Sequence, residues 1–239
     1  MRFFRIWTQT LLPSPISIVL YFVIFGSLIG PRVGEIEGHD YIAYLAPGLI
    51  MMAIINNSFS NVVASFYGAK FQRNIEEMYV APMSSWVILL GFTIGGVARG
   101  FIVGLIVTAV ALFFTNLSLH HVGVIILVVF ATAMLFSLGG LINAIFSRKF
   151  DDINIIPTFV LTPLTYLGGV FYSINMLPEF WQKVSYFNPI LYMINAFRYG
   201  MLGTSDVPVM ISLSFIVLAN VICFIGAWYL LEKGTGIKA

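Results

Sequence analysis

The sequence predicts an all-helical integral membrane protein with six transmembrane helices and both termini in the cytoplasm. Three observations predict it. Of 239 residues, 59% are hydrophobic and only 9% charged, against about 25% charged in a soluble domain. The mean hydropathy is +0.97. The apolar residues fall in continuous runs rather than in the alternation of barrel strands, and helices satisfy their own backbone in lipid. The same figures exclude a soluble globular domain. They also exclude a disordered chain, which is charge-rich and poor in aromatic residues; here there are 22 Phe. At ~20 residues per span, six spans and their loops leave little of this length for a soluble domain, and the whole chain reads as one transmembrane domain. The single Cys223 excludes an intrachain disulfide, and a net charge of +2 gives no sign of nucleic-acid binding.

The elements follow in order. Over residues 1–12, Arg2, Arg5 and Gln9 share one helical face and Phe4, Trp7 and Leu11 the other, the pattern of a short helix lying in the membrane interface. Span one covers 13–30, opened by Pro13 and Pro15. No small-residue cleavage site precedes the next charged loop, so it reads as retained rather than as a removed signal. Spans two to six cover 42–67, 85–114, 122–146, 153–173 and 209–231. Between spans five and six, residues 174–207 are too apolar for an ordinary loop and too interrupted for a span. Pro178 and Asn188-Pro189 are helix-start punctuation. They predict two short helices, 178–186 and 189–201, dipping into the outer half of the membrane.

Basic residues set the orientation. The N-terminus, the 68–84 segment, the 147–152 turn and the tail carry eight of them, while the other side carries Arg32, Lys183 and Arg198. The excess belongs in the cytoplasm. Trp7, Trp86, Trp181 and Trp228 all fall near span ends, where an amphipathic ring prefers to sit.

The 70–82 segment carries Lys70, Arg73 and Glu77 at helical spacing, with Glu76 beside them. Phe71, Ile75, Met78 and Tyr79 lie largely on the other side, and Pro82 is the stop. A solvated turn could be far shorter, and a stiff amphipathic helix suits docking of a cytoplasmic partner.

These features together resemble the permease subunits of ABC-2 type transporters. The resemblance covers the whole chain. It rests on the N-terminal amphipathic helix, the six spans, the cytoplasmic segment ending near Pro82-Met83-Ser84, and the run from Leu177-Pro178 through Asn188-Pro189 to Arg198. It implies a multi-pass subunit of an ATP-driven exporter of the cell membrane, the inner membrane of a bacterium. Such a subunit works as a dimer of two permease copies with two separate cytoplasmic ATPase subunits. It also implies that Lys70, Arg73, Glu76, Glu77, Tyr79 and Pro82 belong to a coupling helix docked on the ATPase. Pro178, Asn188, Pro189 and Arg198 then belong to the external re-entrant helices. ATP and Mg would sit on the partner. Independently, the chain has no Gly-x-x-x-x-Gly-Lys-[Ser/Thr] loop, so it carries no such cofactor site and is not itself an enzyme.

Polar residues inside the spans complete the reading. Arg99 lies near the middle of span three, where a charge costs about 2.5–3.5 kcal/mol or more. It is expected to bond Asn143 or the asparagines of span two, in packing or in contact with substrate. Asn57, Asn61 and Ser65 share a face of span two, beside Asn56 and Ser60. They line a pathway, as the resemblance implies for spans two and five, or bond between helices. Gly91, Gly95, Gly96, Gly100 and Gly104 form small-x-x-x-small pairs that let another helix approach. Pro157, Pro163 and Gly168-Gly169 bend span five or merely kink it. His120-His121 has no nearby acid or thiol and is a weak metal signal. The competing function is an ion-coupled secondary transporter or channel. Those place acids in the membrane, whereas none of the ten acids here lies in a predicted span. The transported molecule is an amphipathic small molecule, a lipid or a glycan.

Overall fold

A computed structural model describes residues 12–81 and 83–236. The expected interfacial helix lies, up to residue 11, outside the described residues, as do Pro82 and residues 237–239. The side chains of Glu76 and Tyr79 lie outside them too.

Helix α1 (Pro13–Val33) contains a widened π stretch over Phe22–Ile29. Pro31 removes the N–H that would close a regular turn onto Ser27. A two-strand hairpin follows, β1 (Glu35–Ile36) and β2 (His39–Asp40), with Glu35 opposite Asp40. Then come α2 (Tyr41–Phe71), α3 (Asn74–Val80), α4 (Ser85–Ala111) and α5 (Val122–Phe146). Helix α6 covers 152–166 and is built from Asp152–Ile156, a π turn Pro157–Leu161, and Thr162–Tyr166. Helices α7 (Glu179–Tyr186), α8 (Pro189–Leu202) and α9 (Val209–Lys233) complete the chain.

Five of these helices are long and apolar enough to cross a membrane: α1, α2, α4, α5 and α9. The expected span over 153–173 is shorter than that. Its helix ends at Tyr166, and at 1.5 Å per residue α6 reaches only about 22 Å, against a hydrocarbon core of about 30 Å. The cause is local. Pro157 and Pro163 each remove a backbone donor, and the Thr162 hydroxyl donates to the Pro157 carbonyl at 2.9 Å, across the widened turn. Gly169 then takes a left-handed φ of 79°, which turns the chain back over the bundle.

Helix α2 is the axis of the fold. It packs chiefly on α5 and α4, and Tyr44, Leu45, Leu49, Ile55 and Phe66 on it are fully buried. Helix α4 reaches it through bare backbone: a side chain at Gly100 would strike Ser58 of α2 and crowd Ala133 of α5. Near the other end, Gly48 lies under the 167–173 crossing, and a Cβ there would sit 2.8 Å from the Val170 carbonyl. Helix α8 is wedged among α2, α5 and α9. Its C-terminus is capped by the α4–α5 loop. Ser118 donates to the Met201 carbonyl, and the backbone N–H groups of His120 and His121 both donate to Gly200.

Candidate functional site

The end of the bundle that carries α7 and α8 holds a connected polar network, here the cap. Asn188 starts α8: its side-chain oxygen accepts from the Ile190 N–H at 3.0 Å, and Pro189 fills the first helical position. The same side chain donates to the Leu164 carbonyl at 2.6 Å, tying α8 to α6. Pro178 stands immediately before α7.

Arg198 is 1% exposed. A buried guanidinium needs partners, and three segments supply them. It donates to the Gly169 carbonyl at 2.6 Å. It pairs with the buried side chain of Asp206 at 3.7 Å. Its guanidinium carbon lies 3.9 Å above the centre of the Tyr44 ring, a cation–π contact from α2. Asp206 in turn accepts from the Ser173 hydroxyl at 2.6 Å, the Ile174 N–H at 3.3 Å and the Asn175 amide at 3.3 Å. Asn195 accepts from the backbone N–H groups of Asp206 and Val207, and donates to the Val207 carbonyl and the Ser212 hydroxyl. The Ser173 hydroxyl also lies 3.0 Å from a carboxylate oxygen of Glu37, in the α1–α2 hairpin. Burial, with Asp206 next in effect, pushes the Glu37 carboxyl above its ordinary value. Sequence reasoning found Arg198 but missed Asp206, Ser173, Asn195, Tyr44 and Glu37. The one available signal was a lone acid eight residues after Arg198, outside every apolar run.

The intramembrane polar residues find separate partners. Arg99 donates to Asn61 at 3.3 Å, joining α4 to α2. Asn143 does not meet Arg99; its amide donates to the Ile153 carbonyl at 3.1 Å and holds the 147–152 turn, while Ser147 donates back to the Asn143 carbonyl. Asn57 is buried and donates to Ser14 and to the Ala53 carbonyl. Asn56 donates to Met52 and lines a cavity of about 240 Å³ between α1 and α2, with Ser14, Ser17 and Tyr21. Of the α4 glycines, Gly96, Gly100 and Gly104 face α2 or α5, whereas among the described residues Gly95 has only Asn61 within reach and Gly91 has nothing.

At the opposite end, the helix expected over 70–82 is shorter. It spans Asn74–Val80, because Arg73 adopts a left-handed φ of 60° and breaks it from α2. Lys70 therefore belongs to α2, where its ammonium donates to the carbonyls of Ile145 and Ser147 at 2.7 and 2.9 Å. That is capping of the α5 C-terminus, favoured by the helix dipole. Ile75 is buried and anchors α3, while Arg73 and Glu77 are exposed and Val80 is 88% exposed. In the neighbouring turn, the backbone N–H groups of Lys149 and Arg148 hold the Asp152 carboxyl below its ordinary value. Among the described residues no group of three or more His, Cys, Asp or Glu side chains could hold a metal ion.

Residues 1–202 match the ABC-2 type transporter family. The chain belongs to that family. It is 52% identical over its whole length to the inner membrane transport permease YadH of Escherichia coli K12, covering 93% of that protein. It is 24% identical over 90% of its length to nodulation protein J of Rhizobium leguminosarum bv. viciae, covering 83% of it. It is 25% identical over 86% of its length to nodulation protein J of Sinorhizobium fredii, covering 79%. As an ABC-2 chain with five apolar helices of spanning length, it is a multi-pass transport permease of the bacterial inner membrane. ABC-2 permeases generally work with an ABC ATPase partner.

Proposed function

We propose that this permease is the membrane subunit of an ATP-driven exporter, working as a homodimer with two copies of a separate ATPase that hold the ATP and Mg. The observation that carries the reading is α3. It is a short helix inserted between two long ones, anchored by buried Ile75 and leaving Glu77 and Val80 exposed, which is the form of a docking element. Arg73 and Glu77 present charge to the partner, with Glu76, Tyr79 and Pro82 in the same segment, and Lys70 holds its base on α5. The eight-to-three excess of basic residues supports a cytoplasmic position for this end and for both termini. On this reading α6 is the sixth crossing, completed by the 167–173 turn. Helices α7 and α8 are re-entrant elements of the outer half of the same single domain. Asn56, Asn57 and Asn61 line the pathway or its wall, and Arg99 positions α4 through Asn61. The transported molecule is an amphipathic small molecule, a lipid or a glycan.

The test is efflux from vesicles holding the chain with and without its ATPase. ATP-dependent export requiring both supports the reading. Transport by the chain alone, driven by an ion gradient, overturns it. The five long helices contain a single acid, Glu232, in the last turn of α9, which disfavours ion coupling through the spans.

A further inference from the structure

The cap holds more acid than base. Asp206 and Glu37 both approach the Ser173 hydroxyl, at 2.6 and 3.0 Å. The charged groups facing them are few. Arg198 is the cation of the network, from α8. Tyr44, from α2, lies under the guanidinium, and the remaining contacts of Asp206 are the neutral donors Ile174 and Asn175.

A hydroxyl has one proton to give. The shorter contact assigns it to Asp206, whose side chain is 1% exposed and already balanced by Arg198. The Ser173 oxygen then offers Glu37 only a lone pair, so a hydrogen bond there needs a proton on Glu37. The backbone supports the same assignment. Glu37 and Arg73 are the two described non-glycine residues with positive φ, and Glu37 is followed by Gly38 at φ 78°. Two successive positive φ values make the tight hairpin turn that favours Asn-Gly or Gly-Gly. A glutamate there is conformationally costly, and its carboxyl reaches the Ser173–Asp206 pair from that position. Glu37 stands at the exposed mouth of the network and Asp206 at its floor, so a proton has a direct path from water.

We infer that Glu37, Ser173 and Asp206 form a proton-binding site that latches the α1–α2 hairpin to the cap. Glu37 donates its proton to the Ser173 oxygen, and Ser173 donates its own to Asp206. Loss of the Glu37 proton puts two carboxylates against one hydroxyl with a single guanidinium to balance them, and the hairpin releases. The sign follows. A carboxyl held above its ordinary value of 4.5 in the folded chain contributes stability that is full below that value and is lost as pH rises through the folded-state value. The site stands whichever side of the membrane the cap faces; under the proposed orientation it senses the external pH.

The test uses the full chain in lipid nanodiscs, titrated from about pH 5 to about pH 9. Infrared spectroscopy reads the carbonyl stretch of a protonated carboxyl, and hydrogen exchange, corrected for intrinsic rate, reads segments 35–40, 167–176 and 203–208. In the native chain the carboxyl band disappears as pH rises, and protection of those segments falls by at least about threefold across the same interval. Glu37→Gln, a permanent donor, lacks that band and keeps its protection at every pH. Asp206→Asn leaves Arg198 one carboxylate to balance, so Glu37 ionises more readily and the band is lost at lower pH than in the native chain. A native chain without the band at the acid end, or a Glu37→Gln chain that retains it, overturns the site. Equal pH dependence of protection in the native and Glu37→Gln chains overturns the latch.

Discussion

The two ends of the bundle handle charge in opposite ways. At the cap, Arg198 and Asp206 are sealed in, and each is bonded to segments far away in sequence. At the α3 end, Lys70 and Asp152 are bonded to backbone groups nearby in the fold, and Arg73 and Glu77 are left to water. Buried pairs cost much when one partner is lost, whereas exposed charges cost little. The cap is therefore an end where a single substitution acts on the fold, and the α3 end is one where it acts on whatever binds there.

The largest effect that sharpens this contrast is at Asp206. Asp206→Ala removes the direct buried partner of Arg198, which Glu37 at the mouth replaces only in part, and is expected to cost about 3–5 kcal/mol, read as a loss of thermal stability in detergent. Arg198→Leu combined with Asp206→Leu should recover most of it; a double variant as unstable as the single one breaks the ion-pair account. Next is the packing between the ends. Gly100→Val forces a branched side chain onto Ser58 and Ala133, for about 1–3 kcal/mol. The same change at Gly91 should be near neutral, and equal losses would break the assignment of faces on α4. Lys70→Ala exposes the last carbonyls of α5 and should cost about 1 kcal/mol. Smallest for stability is Glu77→Lys, expected within about 0.5 kcal/mol of the native chain, while ATPase stimulation by the permease is lost. A loss of stability at Glu77 comparable with that at Asp206 would erase the distinction between the ends.

Legibility followed the range of the forces. Helix α5 begins and ends where the hydropathy pattern sets it, at 122 and 146, because an apolar run of that length has no other home. Pro178 and Asn188-Pro189 announce α7 and α8 because capping is local chemistry. Arg99 has a neighbouring-helix asparagine, as a charge at that depth demands. The Glu37–Ser173 contact spans 136 residues, and no local pattern encodes it. The break at Arg73 was hidden for another reason: it depends on the φ of one residue whose identity also suits a continuous helix. In span five, Pro157, Pro163 and Gly168-Gly169 signalled a bend but not the residue at which the helix stops.

Helix α2 touches both regions. Tyr44 lies beneath Arg198, and Lys70, about 39 Å along the axis at 1.5 Å per residue, lies at the base of α3. Between them the hydrogen-bond ladder loses a donor only at Pro47, three residues from Tyr44. In mechanical terms α2 is a rod whose one compliant joint sits at the cap. A load applied at the Lys70 end would meet no missing backbone bond until the turn beside the ring under the guanidinium.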